Sequence, residues 1–262
     1  MWCQDPFLSC LKAFGYSVVR LPGADLAPLQ LLMRLGRDLE RLGPVATVLV
    51  PGRHVPIPPV VHERPAPALS GQRTAALDGG LGLSLLAALV AGLGGKPAAL
   101  HSLYNRAERV SFEFSEVTED SVTLADLDQY LADARVNPRS RHVAALLDAD
   151  DLYVTTAVVK SRSFGVVASD EEGLSVDLDL SALQASVGAN IHVGGNGAGR
   201  AGVTYEGLLP LAFAFRAARL FYDGGRYQAF KPLHPGDAAL SRRADSPEWY
   251  QSESAFAPLT LT

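Results

Sequence analysis

An α+β fold is predicted, with antiparallel strands forming a sheet and helices set beside it. Two observations carry this. Residues 152–180 alternate in side-chain character with the period of two that a strand imposes, on both sides of a polar turn at 169–173. Leucines recur at helical spacing over 34–42 and 124–134, and a small, apolar run fills 81–93.

Taken in order, Leu29 to Leu32 suits either helix or buried strand, and 34–42 is expected to be helix, with Leu35, Leu39 and Leu42 on one face and Gly43-Pro44 as the stop. A β-branched run follows at 45–50, closed by Pro51-Gly52. Pro56, Pro58, Pro59, Pro65 and Pro67 then restrict the chain to loops or edge strands. The run 81–93 reads as a helix packed closely on a sheet, ended by Gly94-Gly95 and kept from resuming by Pro97. From 98 to 117 the chain is strand-like, with Val110, Phe112 and Phe114 alternating against polar neighbours. Thr123 is placed to cap a helix over 124–134 whose Leu124, Leu127 and Leu131 share a face.

The clearest strand signal is Leu152, Val154, Thr156 and Val158, continuing through Phe164, Val166 and Ala168. A return strand is expected over 174–180, with Leu174, Val176, Leu178 and Leu180 opposite Ser175, Asp177, Asp179 and Ser181. Lys160 and Arg162 interrupt the apolar parity, so the apolar face of such a hairpin would lie to one side of them or in another register. Two more strands are expected within 187–205 around the glycine-rich turn 194–202, and a buried strand over 210–222. From Leu233 the composition turns to Pro, Gly, Ser, Asp and Arg, too polar and broken for a core of its own.

With 262 residues and 48% hydrophobic content, the chain can bury a sizeable core. Its two cysteines, Cys3 and Cys10, lie too close together to staple distant parts, and Cys10 reads as a core thiol. The N-terminal residues lack a basic run and an apolar core ending at a small-residue cleavage site, so a cytoplasmic location is expected. No apolar run reaches the ~20 residues of a spanning helix. The formal charge of −5 argues against nucleic acid, yet it is uneven: residues 1–100 balance at +3, leaving −8 for the remainder.

Enzymatic motifs fail one by one. The cluster Gly195-Asn196-Gly197-Ala198-Gly199 is followed by strand-like Val203-Thr204-Tyr205, whereas a dinucleotide loop must lead into a helix. The six histidines form no metal-ligand spacing, so no metal is expected. No serine sits in a nucleophile elbow, and the pairs Asp150-Asp151 and Glu171-Glu172 fall in loop contexts. The chain is therefore not expected to be an enzyme.

Several segments resemble the bacterial gasdermin family: DPFLSCLKAFGYSVVRLP at 5–22, LGLSLLAALVAGLGG at 81–95, VSFEFSEVTEDSV at 110–122, the stretch 153–180, and FAFRAARLFYDGGRYQAF at 213–230. The resemblance implies a twisted, mainly antiparallel central sheet with peripheral helices, like a gasdermin N-terminal domain, over residues 1–240. It further implies a short autoinhibitory tail at 241–262. A fatty acyl group, expected to be palmitoyl, would sit on Cys3. Cleavage by a caspase-like or trypsin-like partner protease would turn a latent cytoplasmic monomer into a homo-oligomeric pore in the inner membrane, killing the cell to limit phage. The alternative is a soluble lipid- or protein-binding module that never inserts.

Within that resemblance, the membrane-inserting hairpin is expected at Leu152, Val154, Val158, Phe164, Val166, Leu174, Val176, Leu178 and Leu180. A second hairpin would fall within 45–69. The protease-sensitive linker is expected at 233–246, with Arg242 and Arg243 in the scissile loop, although a caspase-like partner would cut elsewhere in it. Trp249, Tyr250, Phe256, Leu259 and Leu261 would anchor the tail to the body.

Overall fold

The computed structural model describes residues 6–23, 25–35, 38–71, 73–176, 178–195, 202–233 and 239–240. Its elements run α1 (Pro6–Ala13), β1 (Ser17–Gly23), β2 (Gln30–Leu35), β3 (Asp38–Pro44), α2 (Val45–Val48), β4 (Leu49–Val50), β5 (Val60–Pro65), β6 (Leu77–Asp78), α3 (Gly79–Gly92), α4 (Leu100–Leu103) and β7 (Arg109–Ser115). They continue with β8 (Thr118–Val122), α5 (Leu124–Asp133), β9 (Arg135–Val136), α6 (Arg141–Asp148), β10 (Leu152–Ser169), α7 (Leu180–Val187), β11 (Ile191–Gly195), β12 (Gly202–Asp223), β13 (Arg226–Pro232) and β14 (Ala239–Leu240). The expected α+β class, a mainly antiparallel sheet with peripheral helices, is the observed one.

Two long strands organise the sheet. β10 pairs antiparallel with β12 along one edge, and with β2, β8 and β7 in succession along the other. Around them, β10, β2, β3, β14, β1 and β12 form a closed ring in which each strand pairs with the next and β12 returns to β10. Val19, Leu32, Leu39, Tyr153, Val158, Ala212 and Phe215 from these strands make one core cluster. A second, larger cluster joins β7, β11 and the far half of β10 to α3, α4 and α7. A third packs α5 and α6 against Leu31, Leu152, Val154 and Leu220.

The bulges explain how one strand serves three cores. Tyr153 faces the ring cluster, but after the register shift between Thr155 and Ala157 it is Val158 that does so. An extra residue in one strand flips the parity that follows.

Several expectations fail for local reasons. Residues 34–35 and 38–42 lie in the paired strands β2 and β3, not a helix: Leu39 is fully buried but Leu35 is exposed, so the supposed leucine face does not exist. The run 45–50 opens with a helical turn after Pro44, whose extended backbone (φ −61°, ψ 141°) sets the N-cap, and only Leu49–Val50 is strand. The strand-like stretch 98–117 begins with the turn α4 before β7. Thr123 stands at the N-cap of α5 but its side chain accepts no capping bond, and Leu124 is 45% exposed while Leu127 and Leu131 are buried. The strand expected at 210–222 is present within β12, and β5 is the edge strand that its prolines require, pairing with β8.

Helix α3 reaches the sheet through Gly82, where an added Cβ would stand 2.5 Å from Val110 Cβ in β7. Gly82→Ala must push helix and strand apart. We expect it to lower unfolding stability by about 1–3 kcal/mol, read as a lower urea midpoint at unchanged slope.

Candidate functional site

The expected membrane hairpin divides into two parts that the folded chain treats differently. Leu152, Val154, Val158, Phe164 and Val166 all lie in β10 and are buried. Both parities of β10 are buried over 152–159, so this strand is central and not amphipathic in the folded state. Among the described residues of 174–180 no return strand forms. After the turn, Ser175 bridges Ser169 and the Val176 N–H donates to Ala168 O at 3.0 Å, whereas residues 178–179 are in no strand and Leu180 begins a helix. Leu174 is 61% exposed, Val176 is buried against the larger cluster, Leu178 packs partly on it, and Leu180 is the partly exposed first residue of α7.

The reason is a strong N-cap. Asp179 Oδ1 accepts from the N–H groups of Ser181 and Ala182 at 2.9 and 3.1 Å, which starts a helix where the alternation alone would continue a strand. Leu183 and Val187 then bury one side of α7. Gln184 fastens it to β11, donating to Ile191 O at 2.8 Å and accepting from Val193 N at 2.8 Å.

Beneath this strand–helix–strand excursion both long strands break at the same level. The register passes from Ser161 opposite Leu211 to Ser163 opposite Glu206, so Arg162 alone faces residues 207–210. Pro210 lacks an amide proton, and Leu208 and Leu209 are displaced outward, 74% and 59% exposed. On β10, Ser161 Oγ lies 2.5 Å from Ser115 O and 2.6 Å from Ser163 O, and accepts from Ser163 N at 3.0 Å. The serine side chain supplies bonds that the ladder loses here.

An ionic clasp crosses the strands beside this break. Glu119 and Asp120 are consecutive in β8, and consecutive strand residues face opposite sides, yet both are buried. Each face must therefore supply cations or donors. Asp120 Oδ2 receives Lys160 Nζ at 2.5 Å and lies 3.1 Å from His62 Nδ1, while Oδ1 accepts from Glu63 N at 2.9 Å. Burial opposes the charge on Asp120, but Lys160, the Glu63 amide and His62 outweigh it and hold the carboxyl below the usual range. On the other face Tyr16 Oη donates to Glu119, with Arg64 and Arg216 at 3.9 and 3.8 Å. The burial of Tyr16 and its bond to that carboxylate both push the phenol pKa up. Glu63 and Arg162, paired at 3.0 Å, extend the clasp to the break itself. The interruption of apolar parity at Lys160 and Arg162 thus has its cause in these partners.

Sequence reading passed over this clasp, although two adjacent acids inside an alternating segment were its visible sign. Cys10, expected as a core thiol, is only partly buried and packs on the outside of the larger cluster. Asp150-Asp151 and Glu171-Glu172 fall in turns, as expected. Cys3, Arg242, Arg243, Trp249, Tyr250, Phe256, Leu259 and Leu261 lie outside the described residues. Among the described residues, no helix is long and apolar enough to cross a membrane, and no cluster has the composition of a metal site.

The chain matches the family model described as the Bacterial Gasdermin Family over residues 19–229. It is 45% identical over 247 residues to a gasdermin of a Desulfuromonadales bacterium, covering 94% of this chain and 93% of that one. A gasdermin of Lysobacter enzymogenes is 40% identical, with 89% and 87% covered. Among solved structures, a bacterial gasdermin from Bradyrhizobium tropiciagri superimposes with a TM-score of 0.62 at 15% identity, over 91% of this chain and 98% of that one.

Removing one partner of a buried ion pair leaves the other uncompensated. Lys160→Met is expected to destabilise the fold by about 3 kcal/mol, and Lys160→Met combined with Asp120→Asn to recover much of that loss, measured by denaturant unfolding. Because the Asp120 pKa is depressed on folding, its contribution is present above the ordinary carboxylate range and is lost as pH falls through the folded value. Asp120→Asn should accordingly flatten the decline in stability at acid pH; an unchanged acid limb would place the titrating group elsewhere.

Proposed function

The chain belongs to the bacterial gasdermin family, and from that we propose that it is a latent pore-former, not an enzyme, whose activation converts the excursion between β10 and β12 into a membrane-spanning hairpin. The observation that carries this reading is the alternation of Leu174, Val176, Leu178 and Leu180 with polar residues in a segment that is folded as loop and helix start. Strand periodicity without a strand supports a second conformation that uses it. Lipid offers no partner for backbone N–H and C=O groups, so strands that enter it must pair and close into a barrel.

In this reading the half of β10 beyond the break, with Phe164 and Val166, forms the outgoing strand and residues 174–187 the returning one, opening on the alternating stretch 174–180. Of the residues expected to insert, Leu152, Val154 and Val158 lie below the break and are placed in the body instead. A second hairpin would draw on 45–69, where the edge strand β5 is held by β8 and the clasp. Release requires a protease, caspase-like or trypsin-like, acting on the linker within 233–246. Arg242 and Arg243 are the proposed scissile pair, and Trp249, Tyr250, Phe256, Leu259 and Leu261 the anchors lost with the tail. Cutting after Arg243 also discards Asp245, Glu248 and Glu253, which moves the net charge from −5 to −2 and eases approach to anionic lipid. The latent monomer would be cytoplasmic and the homo-oligomeric pore would lie in the inner membrane, its opening killing the cell to restrict phage.

Cys3 is proposed to carry a palmitoyl thioester, beside Trp2 and ahead of Phe7 and Leu8. At ~0.8 kcal/mol per buried CH₂ such a chain has ample affinity for either an apolar pocket or a bilayer. Intact mass of protein purified from its native host should show the acyl addition, and an unmodified mass excludes it.

The pore reading is tested by placing a recognition sequence for a specific protease after Arg243 and cutting the folded chain in the presence of dye-filled anionic vesicles. Leakage is expected after cutting and not before; a cut chain that binds vesicles without leakage would instead be the soluble lipid-binding module. Leu180→Asp tests the hairpin cleanly, since Leu180 is 37% exposed and opens α7, where an acidic side chain suits the helix N-terminus and should leave the latent fold unchanged. Several residues into the returning strand that charge stands towards the bilayer midplane and costs up to ~2–4 kcal/mol, so leakage should fall by an order of magnitude or more. Val176→Asp confounds the two states, because Val176 is packed in the folded core.

A further inference from the structure

Between Pro232 at the end of β13 and the proposed scissile pair, the chain returns to the sheet. Leu233 N donates to Ala217 O at 2.8 Å, and its side chain is buried in the ring cluster. Ala239 and Leu240 then form β14 between β1 and β3, with Ala239 opposite Asp38 and Leu240 opposite both Leu39 and Val19. These two pairings are parallel, whereas the other strand pairs described are antiparallel. Among the described residues β14 is the strand that joins β1 to β3, and so the one that closes the six-stranded ring.

We propose that β14 is the bolt of the latent state: its two residues close the ring, and the proteolytic cut acts by letting them leave. This deepens the latent pore-former reading and rests on it. A cut after Arg243 does not remove β14, which lies just upstream; it leaves β14 three residues from a new chain end. A two-residue parallel strand offers few backbone bonds, and slanted parallel pairing is slightly weaker per residue than antiparallel. Chain ends fray unless tied down, so β14 stays in place only while the chain beyond it is anchored. Once it leaves, β1 and β3 each lose the partner on one edge, and Val19 and Leu39 of the ring cluster lose the strand that covers the seam between them.

Neighbouring strands lie 4.7–4.9 Å apart, within the Cα separation that a disulfide bridges. The test therefore uses the full chain with the introduced protease site after Arg243, in a version carrying Ala239→Cys and Asp38→Cys, with the cross-link verified by peptide mapping. Oxidised and cut, this chain should leave anionic vesicles tight, and adding reductant to the same sample should restore leakage at least to an order of magnitude above the oxidised rate. Leakage from the oxidised, cut chain at the reduced rate would overturn the proposal. Hydrogen exchange without lipid separates it from the reading on which it rests. In the cut chain, amides of 17–23 and 38–44 should exchange faster by an order of magnitude or more, and the cross-link should abolish that change. Faster exchange without leakage would sustain the bolt and sink the pore; unchanged protection in β1 and β3 after cutting would sink the bolt whatever the vesicles do.

Discussion

A strand buried on both faces has no water to satisfy its backbone, so the N–H and C=O groups of β10 must find partners in neighbouring strands or, at the break, in the Ser161 side chain. β12 covers one edge, and β2, β8 and β7 share the other. Much else depends on that requirement. It brings the β2–β3 hairpin to the centre of the molecule and fixes β8 and its acids beside Lys160. It also places the far halves of β10 and β12 side by side above the break at Ser161–Ser163. Three core clusters can share one strand because register shifts change which parity faces each of them.

The same requirement separates a stable part from a convertible one. Below the break, β10 and β12 belong to a closed ring with its own core. Above it, they hold an excursion fastened by an Asp179 cap, a Gln184 bridge to β11 and apolar contacts of α7. A helix of this length is stable only through its packing. The clasp of Glu119, Asp120, Lys160 and their partners lies between the two parts. Buried ion pairs are poor sources of stability but demand one arrangement of strands, which suits a junction that must hold a single register until released.

Where a signal was strong in period and its surroundings ordinary, the sequence was enough: the helix at 81–93, the strand from 152, the strand over 210–222 and the turn at 169–173 were all legible. It misled where two physical rules overlapped. Leu35, Leu39 and Leu42 fit a helical face, but Leu39 alone is fully buried, because the hairpin pairing of β2 with β3 wins over local spacing. At 174–180 the alternation is real, yet the described residues form no strand, since the cap at Asp179 and the packing of Val176 prevail in the folded state. The clasp went unread because a lone sequence does not show that β5, β8 and β10 are neighbours; only the adjacency of Glu119 and Asp120 hinted at it. The closing position of β14 was hidden in a stretch whose composition reads simply as polar tail.

The central claim is that residues 174–187 hold two conformations in turn, loop and helix when latent and strand when inserted. Nitroxide labels placed one at a time over 178–186 read this directly, through the period of their accessibility to oxygen. In the uncut chain the 181–186 labels should follow the 3.6-residue period of α7; in the cut, vesicle-bound chain the whole scan should turn to a period of two. A helical period that persists in the leaking state would contradict the account.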